Sequence, residues 1–205
     1  MRGHKDFIVH IPEKYKDGIQ TKGGATIHLD RRFNAKQVIN TIVEVVSSPV
    51  IYDGVIKEGF NLLVDPTLLM NQTYTRTGEQ ENINLVDRDK QLYKVDPSLI
   101  IAYQEKGVDK WQGFQDNVIL ARIKPVQKEL KKIGSIFIPD IAKPKDRKHV
   151  LEVLVANNEA AEMGMAHGDH VVVNIKYAID MKFGDRDVVW LKNKFIHGVE
   201  LKEAV

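Results

Sequence analysis

The chain has 205 residues, 43% of them hydrophobic and 28% charged, the balance of a globular protein with room for one large domain or two small ones. Lys and Arg total 30 against 28 for Asp and Glu, so no overall field draws the chain to a polyanion. It has no cysteine, which excludes disulfides, thiolate metal sites and cysteine nucleophiles. The opening MRGHKDFIVHIP has no apolar core of signal-peptide length, and no run approaches the roughly 18–20 apolar residues that span a bilayer. The expected compartment is the cytoplasm, a bacterial host's included.

Taken in order, the elements are mostly strands. Short runs rich in Val, Ile and Leu, bounded by Gly, Asp, Asn and Pro, occur at Phe7–Ile11, Ile39–Val46, Phe60–Val64, Val118–Ile123, Val150–Val155, His170–Ile175 and Val188–Leu191. Helical periodicity is weak, and the segment Glu159–Ala166 has length for two turns at most. Short strands punctuated by turns every 8–12 residues or so predict an all-β architecture, and about 100 residues of such strands close most easily as a small barrel.

The runs also repeat. Asp6-Phe7-Ile8-Val9 matches Asp116-Asn117-Val118-Ile119, and Gly24 matches Gly134, both pairs 110 residues apart. Glu44 and Glu152 lie 108 apart, Gly59 and Gly168 109 apart, and Pro97 and Asn193 only 96 apart. Five matches in one order predict a tandem duplication with domains 1–106 and 107–205. The drop from 109 to 96 places a 13-residue insertion in the first domain. The polar stretch Asn71–Asn84 is its expected site.

One stretch does not read as core. Ile136-Phe137-Ile138 sits in a loop carrying Lys131, Lys132, Lys143, Lys145 and Lys148. Gly134 before the triplet and Pro139 after it discourage incorporation into a central strand. An apolar triplet on a basic loop suits a peptide-like docking element. The competing expectation is a short strand packed on its own barrel, with the lysines as an ordinary solvated face.

At this point the chain resembles the GroES-like co-chaperonins, the chaperonin-10 family. The resemblance rests on the opening strand Asp116-Asn117-Val118-Ile119-Leu120-Ala121-Arg122 and the loop Gly134-Ser135-Ile136-Phe137-Ile138-Pro139-Asp140-Ile141-Ala142-Lys143. It continues through Val150–Val155, Gly168-Asp169-His170-Val171 and Lys194–Val199. It departs from the family pattern at Ser135, where a second Gly is usual, and at Asn157-Asn158, where a Gly is usual. The first half matches more loosely: Gly24 is present, but Ala25-Thr26-Ile27-His28-Leu29 dilutes the triplet and no Pro follows.

The resemblance implies two tandem GroES-like (OB-like) small β-barrels. It implies a homo-oligomeric ring that caps a GroEL-like chaperonin and contacts its apical domains, assisting ATP-dependent folding. Gly134, Ser135, Ile136, Phe137, Ile138 and Pro139 would form the chaperonin-binding loop, with Gly24, Ile27 and Leu29 as a candidate second loop reduced to a structural role. No catalytic residue, metal or cofactor is implied, since ATP would be bound by the partner. A bacteriophage or a divergent bacterium is the expected source. The alternative is a virion or assembly protein that reuses the duplicated barrel without chaperonin binding.

Other constellations carry less. His167 and His170 flank Gly168-Asp169, but no third metal ligand is evident. Asn71-Gln72-Thr73 is a glycosylation sequon without a secretion signal. A nucleic-acid-binding barrel needs aromatic platforms along a basic groove, and the Lys128–Lys148 cluster holds a single Phe. No serine lies in a nucleophile-elbow pattern.

Overall fold

A computed structural model describes residues 3–13, 18–20, 26–28, 39–123, 132–133, 136–137, 149–184 and 186–200. The first half runs β1 (Phe7–His10), β2 (Gly18–Gln20), β3 (Thr26–His28), β4 (Ile42–Ser47), β5 (Asn61–Val64), a helical turn α1 (Thr67–Met70), β6 (Gln72–Tyr74), β7 (Gln80–Asn82), β8 (Leu85–Asp87), β9 (Leu92–Val95) and β10 (Ile100–Gln104). The second runs β11 (Trp111–Gly113), β12 (Asn117–Arg122), β13 (Lys132–Ile133), β14 (Ile136–Phe137), β15 (Val150–Val155), α2 (Asn158–Glu162), β16 (His170–Val173), β17 (Ile179–Phe183), β18 (Arg186–Lys192) and β19 (Ile196–Glu200). The chain is mostly strand, as its sequence predicts. The Glu159–Ala166 segment contributes one turn, capped where the Asn157 side chain accepts from the Ala160 N–H at 2.7 Å. Among the described residues no helix is long and apolar enough to cross a membrane.

Among the described residues all strand pairs are antiparallel, in three two-stranded sheets and two large ones. One has seven strands in the order β11-β10-β5-β4-β1-β9-β8, and the other six in the order β17-β18-β12-β15-β16-β19. Read from its other end, the six-stranded order repeats the first sheet strand for strand, without a counterpart of β11. The correspondence extends to single hydrogen bonds. The Gly59 N–H donates to the Val45 carbonyl and the Gly168 N–H to that of Val153, both at 2.8 Å. The Asp65 N–H donates to Leu99 and the Asn174 N–H to Phe195, both at 2.9 Å. Gly59 and Gly168 have φ of 83° and 86°, a conformation that costs a residue with a Cβ about 1–2 kcal/mol.

The first strands fall one residue out of the sequence match. Bulges fall between Ile8 and Val9 on β1 and between Ile119 and Leu120 on β12, so the structural equivalents lie 111 apart rather than 110. Phe7 and Val9 then enter one core as Val118 and Leu120 enter the other. A strand's side chains alternate between faces, so only that register puts equivalent residues inside.

Alternation explains the inner cores. In β4 Val43 and Val45 are buried while Glu44 and Val46 are exposed, and in β15 Leu151, Val153 and Val155 are the buried set. A third cluster lies between the sheets: Leu63, Ile101 and Ala102 of the first pack with Ile119, Val155, Met181 and Val188 of the second. Trp111 meets Phe183 edge to face at 5.1 Å beside it. The Gly113 N–H donates to Ala156 at 3.0 Å and the Asn117 side-chain amide to the Ile100 carbonyl at 3.1 Å, tying the two sheets together.

Candidate functional site

Two excursions leave the sheets at equivalent places. The chain departs β1 at His10, which pairs with Glu44 of β4, and departs β12 at Arg122, which pairs with Leu151 of β15. Each excursion therefore starts and ends on neighbouring strands, so its feet are fixed by a ladder whatever its sequence. Arg122 also meets Asp180 of β17 at 2.8 Å, an exposed pair at the foot of the second excursion that adds little stability.

Each excursion carries a small hairpin joined to neither large sheet. In the second, Lys132 pairs with Phe137 and Ile133 with Ile136. In the first, Gly18 pairs with His28, Ile19 with Ile27 and Gln20 with Thr26. The triplet expected to dock thus contributes Ile136 and Phe137 to a strand, β14, whose partner is β13 and not a strand of the six-stranded sheet. Gly134, Ser135, Ile138 and Pro139 lie outside the described residues, as do Gly24 and Leu29, while Ile27 lies on β3. Sequence reasoning missed Lys132 and Ile133 as part of this element. The signal was Lys-Ile followed by Gly-Ser and Ile-Phe, two short runs separated by a two-residue Gly-containing link, which is a hairpin pattern.

The remaining candidates are placed elsewhere. His167 Nδ1 is 3.0 Å from the Leu154 carbonyl, and His170 Nδ1 is 3.6 Å from Glu200. Among the described residues no three His, Asp or Glu side chains gather as a metal site. The polar stretch Asn71–Asn84, where the sequence places an insertion, contains the β6–β7 hairpin, with Gln72 paired to Asn82. Its base is held where the Asn82 and Asn84 side-chain amides donate to the Leu68 carbonyl at 3.1 and 2.9 Å.

The second excursion, the six-stranded ladder and the turn at Gly168 fall in one stretch of the chain. Residues 110–200 match the family model of the chaperonin 10 Kd subunit. That match supports a GroES-like domain from β11 to β19, with the β13–β14 hairpin inside it. No curated protein matches the chain.

Proposed function

We propose that this protein is a co-chaperonin that caps a chaperonin ring and assists ATP-dependent folding from the cytoplasm. The chain is read as two tandem GroES-like, OB-like barrels, 1–106 and 107–205, assembled into a homo-oligomeric ring. Gly134, Ser135, Ile136, Phe137, Ile138 and Pro139 form the contact with the chaperonin's apical domains. One observation carries the reading: in the part of the chain that matches the chaperonin 10 family, an apolar strand stands on a separate hairpin.

Burying each of Ile136, Phe137 and Ile138 in an apolar groove contributes about 1.5–3 kcal/mol. Ordering the loop costs about 1–2 kcal/mol per residue fixed, so a single loop binds weakly. Several loops on one ring raise the avidity by about 10²–10⁴, while each contact stays weak enough to release when the partner changes state. No group of this chain performs covalent chemistry in this scheme; the partner binds and hydrolyses ATP.

The test is capture of the purified chain by a bacterial chaperonin with ATP or ADP, beside an Ile136→Asp/Ile138→Asp variant. Nucleotide-dependent capture that the variant loses is expected. Absence of capture by any chaperonin of its own host overturns the reading and leaves the structural alternative, a virion or assembly protein, which the first half's diluted triplet and added β6–β7 hairpin favour.

A further inference from the structure

Where the two sheets meet, an open cleft of about 1220 Å³ lies between the β10–β11 hairpin on one side and the β15–β16 connection and β17–β18 turn on the other. The two sides are joined beside it, where the Gly113 N–H donates to Ala156 and the Gln112 side chain to that of Asn158. Neither sheet forms this cleft alone. A concave space between two packed units is a common setting for a small-molecule site.

Its lining combines an aromatic corner with positive charge. Trp111 and Phe183 both line the cleft, are half-buried, and meet at 88°. Perpendicular rings form a corner in which a flat third ring stacks on one wall and meets the other edge to face. A cation flanks each ring: Lys110 precedes Trp111, and Arg186 pairs with Phe183 across the β17–β18 turn. Among the described residues neither cation has an acidic partner, and Asp187 beside Arg186 is held by Lys182 at 2.7 Å.

The charges are also sorted by wall. Both acids of the lining, Glu105 and Asp109, stand on the β10–β11 turn, whereas the described lining of the opposite wall contributes Arg186 and His167 and no acidic side chain. In that wall Asn157 is 1% exposed. Its side-chain oxygen accepts from the Ala160 N–H at 2.7 Å and the Asn193 amide at 3.1 Å. Its side-chain nitrogen has no partner among the described residues, and such a buried donor takes an acceptor oxygen.

We propose that this cleft binds a small, flat aromatic anion, its ring in the Trp111–Phe183 corner and its acidic group turned to Arg186 and Lys110. The sign of the charge follows from the wall that holds donors and no acid. A guanidinium gives an anionic group charge-assisted hydrogen bonds, which are among the strongest polar contacts. Glu105 and Asp109 oppose the anion from the other side, so their neutralisation strengthens binding. Because residues of both sheets line the cleft, the ligand clasps the junction and stabilises the folded chain by mass action. The site uses no residue of the β13–β14 hairpin, so it and the co-chaperonin reading stand or fall separately.

The probe is anilinonaphthalene sulfonate, a flat aromatic anion, titrated by fluorescence against the full chain. Saturable binding is expected, with the uncharged parent anilinonaphthalene binding about tenfold more weakly or worse. Arg186→Glu reverses a charge on an exposed side chain and should weaken the sulfonate by about tenfold or more with circular dichroism unchanged. Glu105→Gln/Asp109→Asn should tighten it by about threefold. Ala161 is exposed and lines the same cleft, and Ala161→Trp should fill the space and weaken binding by about tenfold. The Ile136→Asp/Ile138→Asp variant should bind the probe like wild type. No binding by wild type, equal or tighter binding by a folded Arg186→Glu variant, or binding lost with Ile136 and Ile138 overturns the inference. Should Arg186→Glu fail to fold, Lys110→Glu and Ala161→Trp both binding like wild type do the same.

Discussion

The two halves share a six-strand order, a bulge, a left-handed glycine and a hairpin excursion, yet they differ where those shared parts meet the outside. The second half's hairpin carries Ile136 and Phe137, the first half's Thr26, Ile27 and His28. Among the described residues the first half has β10 covered by β11 and a separate β6–β7 hairpin, whereas the second half shows a counterpart of neither. The ladder is therefore a frame that fixes the feet of an excursion without specifying what the excursion carries. Function on such a frame belongs to the loops and edges.

The sharpest way to break this comparison is to make the same change in both hairpins. If the proposed ring forms, Ile136→Asp/Ile138→Asp should weaken nucleotide-dependent chaperonin capture by about 10²-fold or more, since every loop of that ring would lose its apolar contacts at once. Ile27→Asp/Leu29→Asp should change it by less than about threefold. Equal losses, read by surface-immobilised chaperonin binding, would make the two loops equivalent and end the division of labour.

The junction gives the next largest contrast. Leu63 and Ile119 are fully buried between the sheets, while Val172, Leu63's counterpart, is 37% exposed. Leu63→Ala or Ile119→Ala should cost about 2–5 kcal/mol in urea unfolding, and Val172→Ala under about 1 kcal/mol. A large cost at Val172 in the isolated chain would show that the open face is packed after all.

The legibility of this architecture varied along the chain for physical reasons. The shift from 109 to 96 was readable because Gly59 and Gly168 open one strand while Pro97 and Asn193 begin the 3₁₀ turns before another. Turn residues carry position. The first-strand register was not readable: Phe7-Ile8-Val9 and Val118-Ile119-Leu120 are buried on both faces, and an unbroken apolar run has no alternation to fix which residue points inward. That lack of alternation was itself the sign of the junction, since a strand needs two apolar faces only when both are covered. Strand β11 was hidden because Trp-Gln-Gly is too short and too polar to read as a strand, and it forms because β10 offers an edge. Of the candidate site, the excursion and its apolar run were legible, while Ile133 became visible only through its pairing.

Glycine substitutions sharpen the comparison at a finer scale. Gly59→Ala and Gly168→Ala should each cost about 1–2 kcal/mol, since both hold a left-handed conformation. A Cβ at Gly59 would also come within 3.3 Å of the Lys106 side chain, whereas nothing lies within 4 Å at Gly168. The Gly59 variant should melt slightly lower. The reverse order would mean that the two turns are not equivalent.

The smallest contrast lies in the 3₁₀ turns that precede β10 and β19. Asp96 caps the first, accepting from the Ser98 N–H at 2.8 Å and its hydroxyl at 2.5 Å, and Pro97 at its first position has a suitable φ. The Ser98 hydroxyl and N–H hold the Asp96 carboxyl below its usual pKa. Lys192 stands at the matching position of the second turn and makes no cap; its amine instead reaches Asp116 at 3.2 Å. A carboxyl with a lowered pKa in the folded state adds stability above its unfolded value, and loses it as pH falls through the folded value. Asp96→Ala should therefore cost about 0.5–1 kcal/mol near pH 7, and the gap to wild type should close progressively below about pH 4. Asp96→Asn keeps the acceptor and should flatten that pH dependence with little loss at neutrality. A gap that stays constant down to pH 2 would show that the protonated carboxyl caps as well as the carboxylate does, and no gap at any pH would show that the turn relies on Pro97 and packing, as the uncapped turn at Lys192 must.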